Sequence, residues 1–61
     1  MGAAIGMIGL AAEGTRVVVT FTDGQVYEYP NVDVTLAMKV MGDPDEYFGE
    51  IRYWPGYRRI A

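Results

Sequence analysis

Cysteine and histidine are both missing from this 61-residue chain. Without thiols there can be no disulfide, and without thiols and imidazoles the usual ligand sets of zinc fingers are excluded. Imidazole is also the side chain most often used for acid–base catalysis near neutral pH. We therefore expect a non-catalytic protein that carries no cofactor and no metal ion.

Basic residues are few, with five Lys and Arg against eight Asp and Glu, which gives a net charge of −3. A protein held on nucleic acid mainly by counterion release normally carries an excess of positive charge. Long hydrophobic runs are missing too. The apolar run at 1–12 is about half the length of a membrane-spanning helix, and it lacks a basic start and a cleavage pattern. Its first residues resemble a myristoylation signal, but Gly6 stands where Ser or Thr is required. The sequence predicts a cytoplasmic protein without membrane contact.

What the chain does contain is aromatic residues: one Trp, five Tyr and two Phe. A domain of this size hides only about 60% of the surface that its unfolded chain exposes. The rings are therefore needed largely as core, because they bury the most apolar area per residue. No internal repeat or linker divides the sequence, and we treat residues 1–61 as one domain.

Alternating apolar residues predict the strands. Residues 5–10 indicate a first strand with an irregularity near its start, followed by a turn at 12–15. Residues 16–22 are rich in β-branched side chains and form the clearest strand. One face of this second strand carries Val17, Val19 and Phe21.

A Thr-Asp-Gly turn then leads into VYEY at 26–29, and two hairpin registers are compatible with it. A two-residue loop would turn Glu28 inward with the valines. A three-residue loop with Gly24 in the left-handed conformation would turn both tyrosines inward and leave Glu28 in water. We predict the second register, because it gathers the large apolar side chains on one face. Its partners are Phe21 with Gln25, Val19 with Tyr27, and Val17 with Tyr29.

A helix should follow, capped by Asn31 or Asp33, running to about Met41 and stopped by Gly42 in the left-handed conformation. This helix is apolar on two sides, so one side should meet the sheet. The other should meet either the C-terminal segment or another molecule. The first side carries Val32, Leu36 and Val40, and the second carries Val34, Met38 and Met41.

The segment DPDE at 43–46 predicts a second, short helix through 47–48, with an Asp cap, a first-turn Pro and acids near the positive end of the helix dipole. Adjacent carboxylates alone form no cage for a metal ion. Residues 51–61 contain three arginines and no acid. The predicted fold class is α+β: a three-stranded antiparallel β-meander with one packed helix, a short second helix and a C-terminal segment folded back.

The order of these landmarks resembles the KTSC domain, which occurs at the C-terminus of some lysyl-tRNA synthetases and as a stand-alone small protein. The Y-x-Y at 27–29, the Tyr-Phe at 47–48, and the Ile-Arg and Tyr-Arg-Arg-Ile pieces within 51–60 match the family's order. The resemblance implies the same α+β fold, and RNA binding has been suggested as a function of the family. The chain departs from the family at Leu10 (usually Tyr), Asp33 (usually Pro) and Gly49 (usually Asn).

Two functions fit this reading, and both are binding functions. The first is a protein-interaction or accessory, inhibitory module, which acts through the second apolar side of the helix and the open edge of the first strand. Negative charge favours a protein partner over RNA, and the apolar surface could equally serve self-association with a second copy of the chain. The candidate protein-binding residues are Val34, Met38 and Met41.

The alternative is an RNA- or tRNA-associated module that uses the C-terminal segment. Arginines would contact phosphates and aromatic rings would stack on unpaired bases. Against this, the same arginines can pair with acids such as Glu28 or lie over rings, holding the tail to the domain. The candidate nucleic-acid-binding residues are Arg52, Tyr53, Trp54, Tyr57, Arg58 and Arg59.

Overall fold

The structure, a computed structural model, describes residues 4–11 and 15–61. It contains the strands β1 (Ile5–Leu10), β2 (Val17–Phe21), β3 (Val26–Tyr29) and β4 (Arg58–Arg59), and the helices α1 (Val34–Gly42) and α2 (Pro44–Tyr47), the latter followed by a 3-10 turn at Phe48–Glu50. One antiparallel sheet has the order β1-β2-β3-β4. The predicted α+β meander is confirmed, and its folded-back C-terminal segment adds a fourth strand. No helix within the described ranges is long and apolar enough to cross a membrane.

The irregularity predicted near the start of the first strand is confirmed. β1 pairs with β2, and the register shifts between Ile5 and Met7. An extra residue of this kind increases the local twist of an edge strand. Most of the turn predicted at 12–15 lies outside the described residues.

The hairpin between β2 and β3 has the predicted three-residue loop. The backbone N–H of Phe21 donates to the carbonyl of Gln25 at 2.8 Å, and the N–H of Gly24 donates back to the carbonyl of Phe21 at 2.9 Å. Gly24 has φ +93°, a left-handed conformation that glycine adopts without steric cost. The predicted pairs are confirmed: Val17 lies opposite Tyr29, and Val19 lies opposite Tyr27.

The core lies between α1 and the face of the sheet that carries the valines and tyrosines, which we call the inner face. Tyr29 is only 2% exposed, which confirms that this ring packs inward, and Tyr27 is half-buried beside it. The other end of the core is closed by side chains that follow α2. The fully or almost fully buried apolar residues are Val17, Val19, Tyr29, Val32, Ala37, Val40, Phe48 and Ile51.

The ends of α1 differ partly from the prediction. Asp33 is the N-cap, and its carboxylate accepts a hydrogen bond from the N–H of Thr35 at 3.1 Å. The left-handed stop at Gly42 was wrong, because Gly42 is still helical. Asp43, with φ −148°, ends α1 and at the same time caps α2, where its side chain accepts from the N–H of Glu46. The predicted cap of the second helix is thus confirmed. Because Asp43 also ends α1, that helix needs no glycine in the left-handed conformation to stop it.

Alanine substitutions at Gly42 and Gly24 should change the free energy of unfolding in opposite directions. Gly42→Ala should raise the free energy of unfolding by about 0.5 kcal/mol, because alanine loses less backbone entropy in a helix. The added Cβ would meet no heavy atom within 4 Å. Gly24→Ala should lower it by about 1 kcal/mol, because alanine is strained at positive φ. Urea denaturation followed by tryptophan fluorescence measures both, and a destabilised Gly42→Ala variant would contradict the helical conformation at that position.

Candidate functional site

The side of α1 that faces away from the sheet is apolar and uncovered. Val34, Met38 and Met41, which we call the α1 stripe, are 50%, 66% and 38% exposed. Their spacing of four and three residues aligns them along one side of the helix. The prediction that the C-terminal segment could cover this side was wrong, because that segment pairs with β3 as a strand instead. In the part of the chain that the structure describes, the α1 stripe is therefore open surface.

The arginines of the C-terminal segment point in different directions. Arg58 lies opposite Glu28 across the β3–β4 pair, and its Nε donates to the Glu28 carboxylate. Because Glu28 alternates with two inward tyrosines, this ion pair lies on the other, outer face of the sheet. Arg52 instead lies on the inner side, with its guanidinium 5.5 Å above the ring of Phe48.

Glu28 was expected in water, but it is only 7% exposed. The register places it on the outer face as predicted, yet Arg58 covers it from β4. Arg16, just before the start of β2, covers it too, with an Nη1–Oε2 distance of 3.1 Å. The hydrogen bond from Arg58 holds the pKa of Glu28 below its ordinary value, against the effect of desolvation and with further help from Arg16. A charge that the alternation assigns to solvent is thus buried by the side chains of neighbouring strands.

Beyond the core, the aromatic rings form an open cleft of about 580 Å³ between the inner face and the segment after α1. Tyr57 stacks on Tyr29, with ring centroids 5.9 Å apart and planes 7° apart, and also on Tyr27 at 6.2 Å. Tyr53 meets Tyr57 edge to face at 6.4 Å and is 79% exposed. We call this site the aromatic cleft, and its rings are Phe21, Tyr27, Tyr29, Phe48, Tyr53 and Tyr57.

Four charged side chains also line the aromatic cleft: the carboxylates of Asp23, Asp45 and Glu46, and the guanidinium of Arg52. The lining thus has a formal excess of two negative charges. Across residues 4–11 and 15–61, no group of three acidic side chains is arranged to hold a metal ion. The cleft therefore combines ring faces with separate carboxylates.

A series of tight turns at 51–57 holds the two outermost tyrosines in place. Ile51 is fully buried, and successive backbone hydrogen bonds of 3.0 Å join Trp54 to Ile51 and Tyr57 to Trp54. The indole N–H of Trp54 donates to the carbonyl of Pro30 at 2.8 Å. Gly56 has φ +83°, and a Cβ there would lie 3.2 Å from the ring of Pro30. The turn is thus anchored to the end of β3.

Only part of the predicted nucleic-acid-binding set comes together. Arg52, Tyr53 and Tyr57 line the aromatic cleft, whereas Arg58 pairs with Glu28 on the opposite face of the sheet. The other two predicted members lie elsewhere: the indole N–H of Trp54 is used internally, and the Nε of Arg59 donates to the terminal Ala61 carbonyl at 3.0 Å.

Reasoning from the sequence missed the aromatic cleft as a site. Tyr53 and Tyr57 were predicted only as nucleic-acid-binding residues. Tyr27 and Tyr29 were assigned to the core, and the acids at 43–46 to the start of a helix, and these two assignments are also correct. The only signal was the clustering of four acids at 43–50 next to the aromatic segment at 53–57.

Comparisons with protein-family models, curated proteins and solved structures found no match to this chain. The resemblance to the KTSC domain stays a prediction.

The depressed pKa of Glu28 predicts a loss of stability in acid. A carboxylate with a lowered pKa in the folded state stabilises the protein above its unfolded pKa, near 4.5 here, and this contribution disappears as the pH falls through the folded value. Wild type should therefore lose stability more steeply than Glu28→Gln between pH 5 and about pH 2. Urea denaturation across this range measures the difference. Glu50→Gln, which removes the same charge from an exposed site, should keep the wild-type slope, and a parallel Glu28→Gln curve would contradict the prediction.

The buried phenol of Tyr29 should make the protein less stable at alkaline pH. Burial, together with the neighbouring phenols of Tyr27 and Tyr57, raises the pKa of Tyr29 to about 12, while Arg52 acts in the opposite direction. A raised pKa favours the neutral phenol, so its contribution to stability is present below pH 10 and is lost as the pH approaches 12.

Tyr29→Phe should therefore lose less stability than wild type between pH 10 and 12. Thermal melts followed by circular dichroism at fixed ionic strength give the comparison. Tyr53→Phe is the matched control, because that ring is largely exposed. Equal alkaline losses in Tyr29→Phe and wild type would show that the buried phenol is not responsible.

Proposed function

We propose that this chain is a small non-catalytic protein-binding module, an accessory or inhibitory protein whose contact surface is the α1 stripe. The observation that carries the proposal is the contrast between the two sides of α1. Val40 is fully buried, yet Met38 on the other side is 66% exposed. The solvent side of a surface helix is normally polar, so an apolar stripe there favours a contact with another molecule.

The chemistry of the α1 stripe favours an apolar protein surface as partner. Two of its three residues are methionines, whose flexible thioether side chains adapt to irregular surfaces. A standard interface takes about 800 Å² per partner, about a fifth of this chain's 4048 Å². The partner must therefore extend beyond the stripe. The edge strand β1, where Met7 is 69% exposed, is the other apolar surface that the proposal includes.

The KTSC resemblance supports a module of this kind, because that family occurs both attached to an enzyme and alone. The absence of cysteine supports a cytoplasmic location. Nucleic acid is the weaker candidate as partner. Arg58 forms an ion pair with Glu28 and is not free to bind a phosphate. Arg52 and the exposed ring of Tyr53 are then the main pair of neighbouring residues that could contact an RNA strand.

The proposal predicts that Met38→Lys weakens partner binding while the fold is retained. Burying a methionine side chain contributes about 1.5–3 kcal/mol, so affinity should fall at least about tenfold. A photoreactive methionine analogue at position 38, activated in the native host, would identify the partner. If the partner is a second copy of the chain, light scattering would detect the dimer by its mass. Titration of the identified partner against both forms then gives the affinities.

Thr35→Lys is the matched control, because it adds the same charge to the polar side of the same helix. It should bind as wild type does, and circular dichroism should show both variants folded. If the two lysine variants bind equally well, the α1 stripe is not the contact surface.

A further inference from the structure

The aromatic cleft has the composition of a site for a cation. Of its three carboxylates, none forms an ion pair within the described ranges 4–11 and 15–61, where the ion pairs involve Glu28. Asp23 accepts a hydrogen bond from a backbone N–H, while Asp45 and Glu46 are exposed on the rim. Ring faces attract cations through their quadrupole, and nearby carboxylates add to that attraction. The net charge of −3 acts in the same direction.

The cleft already contains one cation from the chain itself. The guanidinium of Arg52 lies over the ring of Phe48 inside the cleft, with 5.5 Å between the guanidinium carbon and the ring centroid. A planar guanidinium stacks on aromatic faces in a way that a lysine ammonium cannot. Tyr53 and Tyr57 offer further ring surface, and these rings are 79% and 40% exposed.

We propose that the aromatic cleft binds an arginine side chain presented by a basic segment of a partner protein. The guanidinium stacks on the exposed tyrosine rings, and the carboxylates of Asp45 and Glu46 balance its charge. The volume of about 580 Å³ falls in the usual range of ligand sites, about 300–1,000 Å³, which leaves room for backbone on either side of the arginine. This site is separate from the α1 stripe and does not depend on it.

Arg52 has a specific role in this proposal. It supplies the one positive charge of the cleft lining, and it lies over Phe48, beside the tyrosine rings on which an incoming guanidinium would stack. Arg52 therefore repels a cationic ligand, and its removal should strengthen binding. A nucleic-acid site would behave in the opposite way, because a phosphate ligand would lose a contact.

The probe is a pentapeptide, acetylated and amidated at its ends, with the sequence Ala-Ser-Arg-Ser-Ala. Its matched partner carries citrulline, the neutral analogue of arginine, at the central position. Titrations of the full chain, followed by its amide and tyrosine ring resonances in solution NMR, give both affinities. The arginine peptide should bind saturably, with shifts centred on Tyr53 and Tyr57, and the citrulline peptide should bind at least about fivefold more weakly.

Two variants test the assignment of the cleft. Arg52→Gln should strengthen binding of the arginine peptide by about threefold or more, and the double variant Asp45→Asn, Glu46→Gln should weaken it by a similar factor. Glu50→Gln is the charge control, because Glu50 does not line the cleft, and it should bind almost as wild type does. The spectra themselves report whether each variant is folded. Equal affinity for the two peptides, or weaker binding by folded Arg52→Gln, overturns the proposal.

Discussion

The hairpin register between β2 and β3 is the constraint on which the rest of the structure depends. Because side chains alternate along a strand, a slip of one residue would exchange every inward side chain of β3 for its neighbour. Gly24, at φ +93°, sets the loop length that prevents this slip. The observed register turns Tyr27 and Tyr29 to the core and Glu28 to the other face. The aromatic cleft and the ion pairs of Glu28 both follow from that single choice.

Glu28 links the register to the position of the tail. On the outer face its carboxylate is covered by neighbouring side chains, and Arg58 of the short strand β4 lies directly opposite it across the β3–β4 pair. Both arginines that pair with Glu28, Arg16 and Arg58, are partly exposed, so the ion pairs contribute little net stability, but a buried Glu28 carboxylate without them would be costly. We infer that Glu28 acts mainly to select the place where the tail adds to the sheet. The same placement on β3 leaves the α1 stripe open, because the tail is used elsewhere.

The parts of the fold that follow from local chemistry could be predicted from the sequence. The three-residue loop needs only Gly24, the start of α1 needs the Asp33 side chain, and the irregular first strand shows in its pattern of glycines. Alternation alone predicts Glu28 in water, and its burial depends on Arg58, thirty residues away. The pairing of a C-terminal arginine with Glu28 was one of the alternatives that the sequence offered, and it is the one observed for Arg58. The aromatic cleft was missed for the same reason: its walls come from separate segments, and only the folded-back tail brings them together.

A chain this small keeps some apolar side chains exposed, and those that lie next to one another are the ones that indicate a binding surface. A domain near 60 residues cannot hide every apolar side chain, so single exposed residues such as Ile60 need no function. The α1 stripe differs because its exposed residues are aligned on one rigid helix. The aromatic cleft differs because rings such as Tyr57 serve two purposes at once: one face covers Tyr29 in the core, while the ring also borders the open cleft. A ligand on that ring would extend the core outward, so binding and stability should rise together.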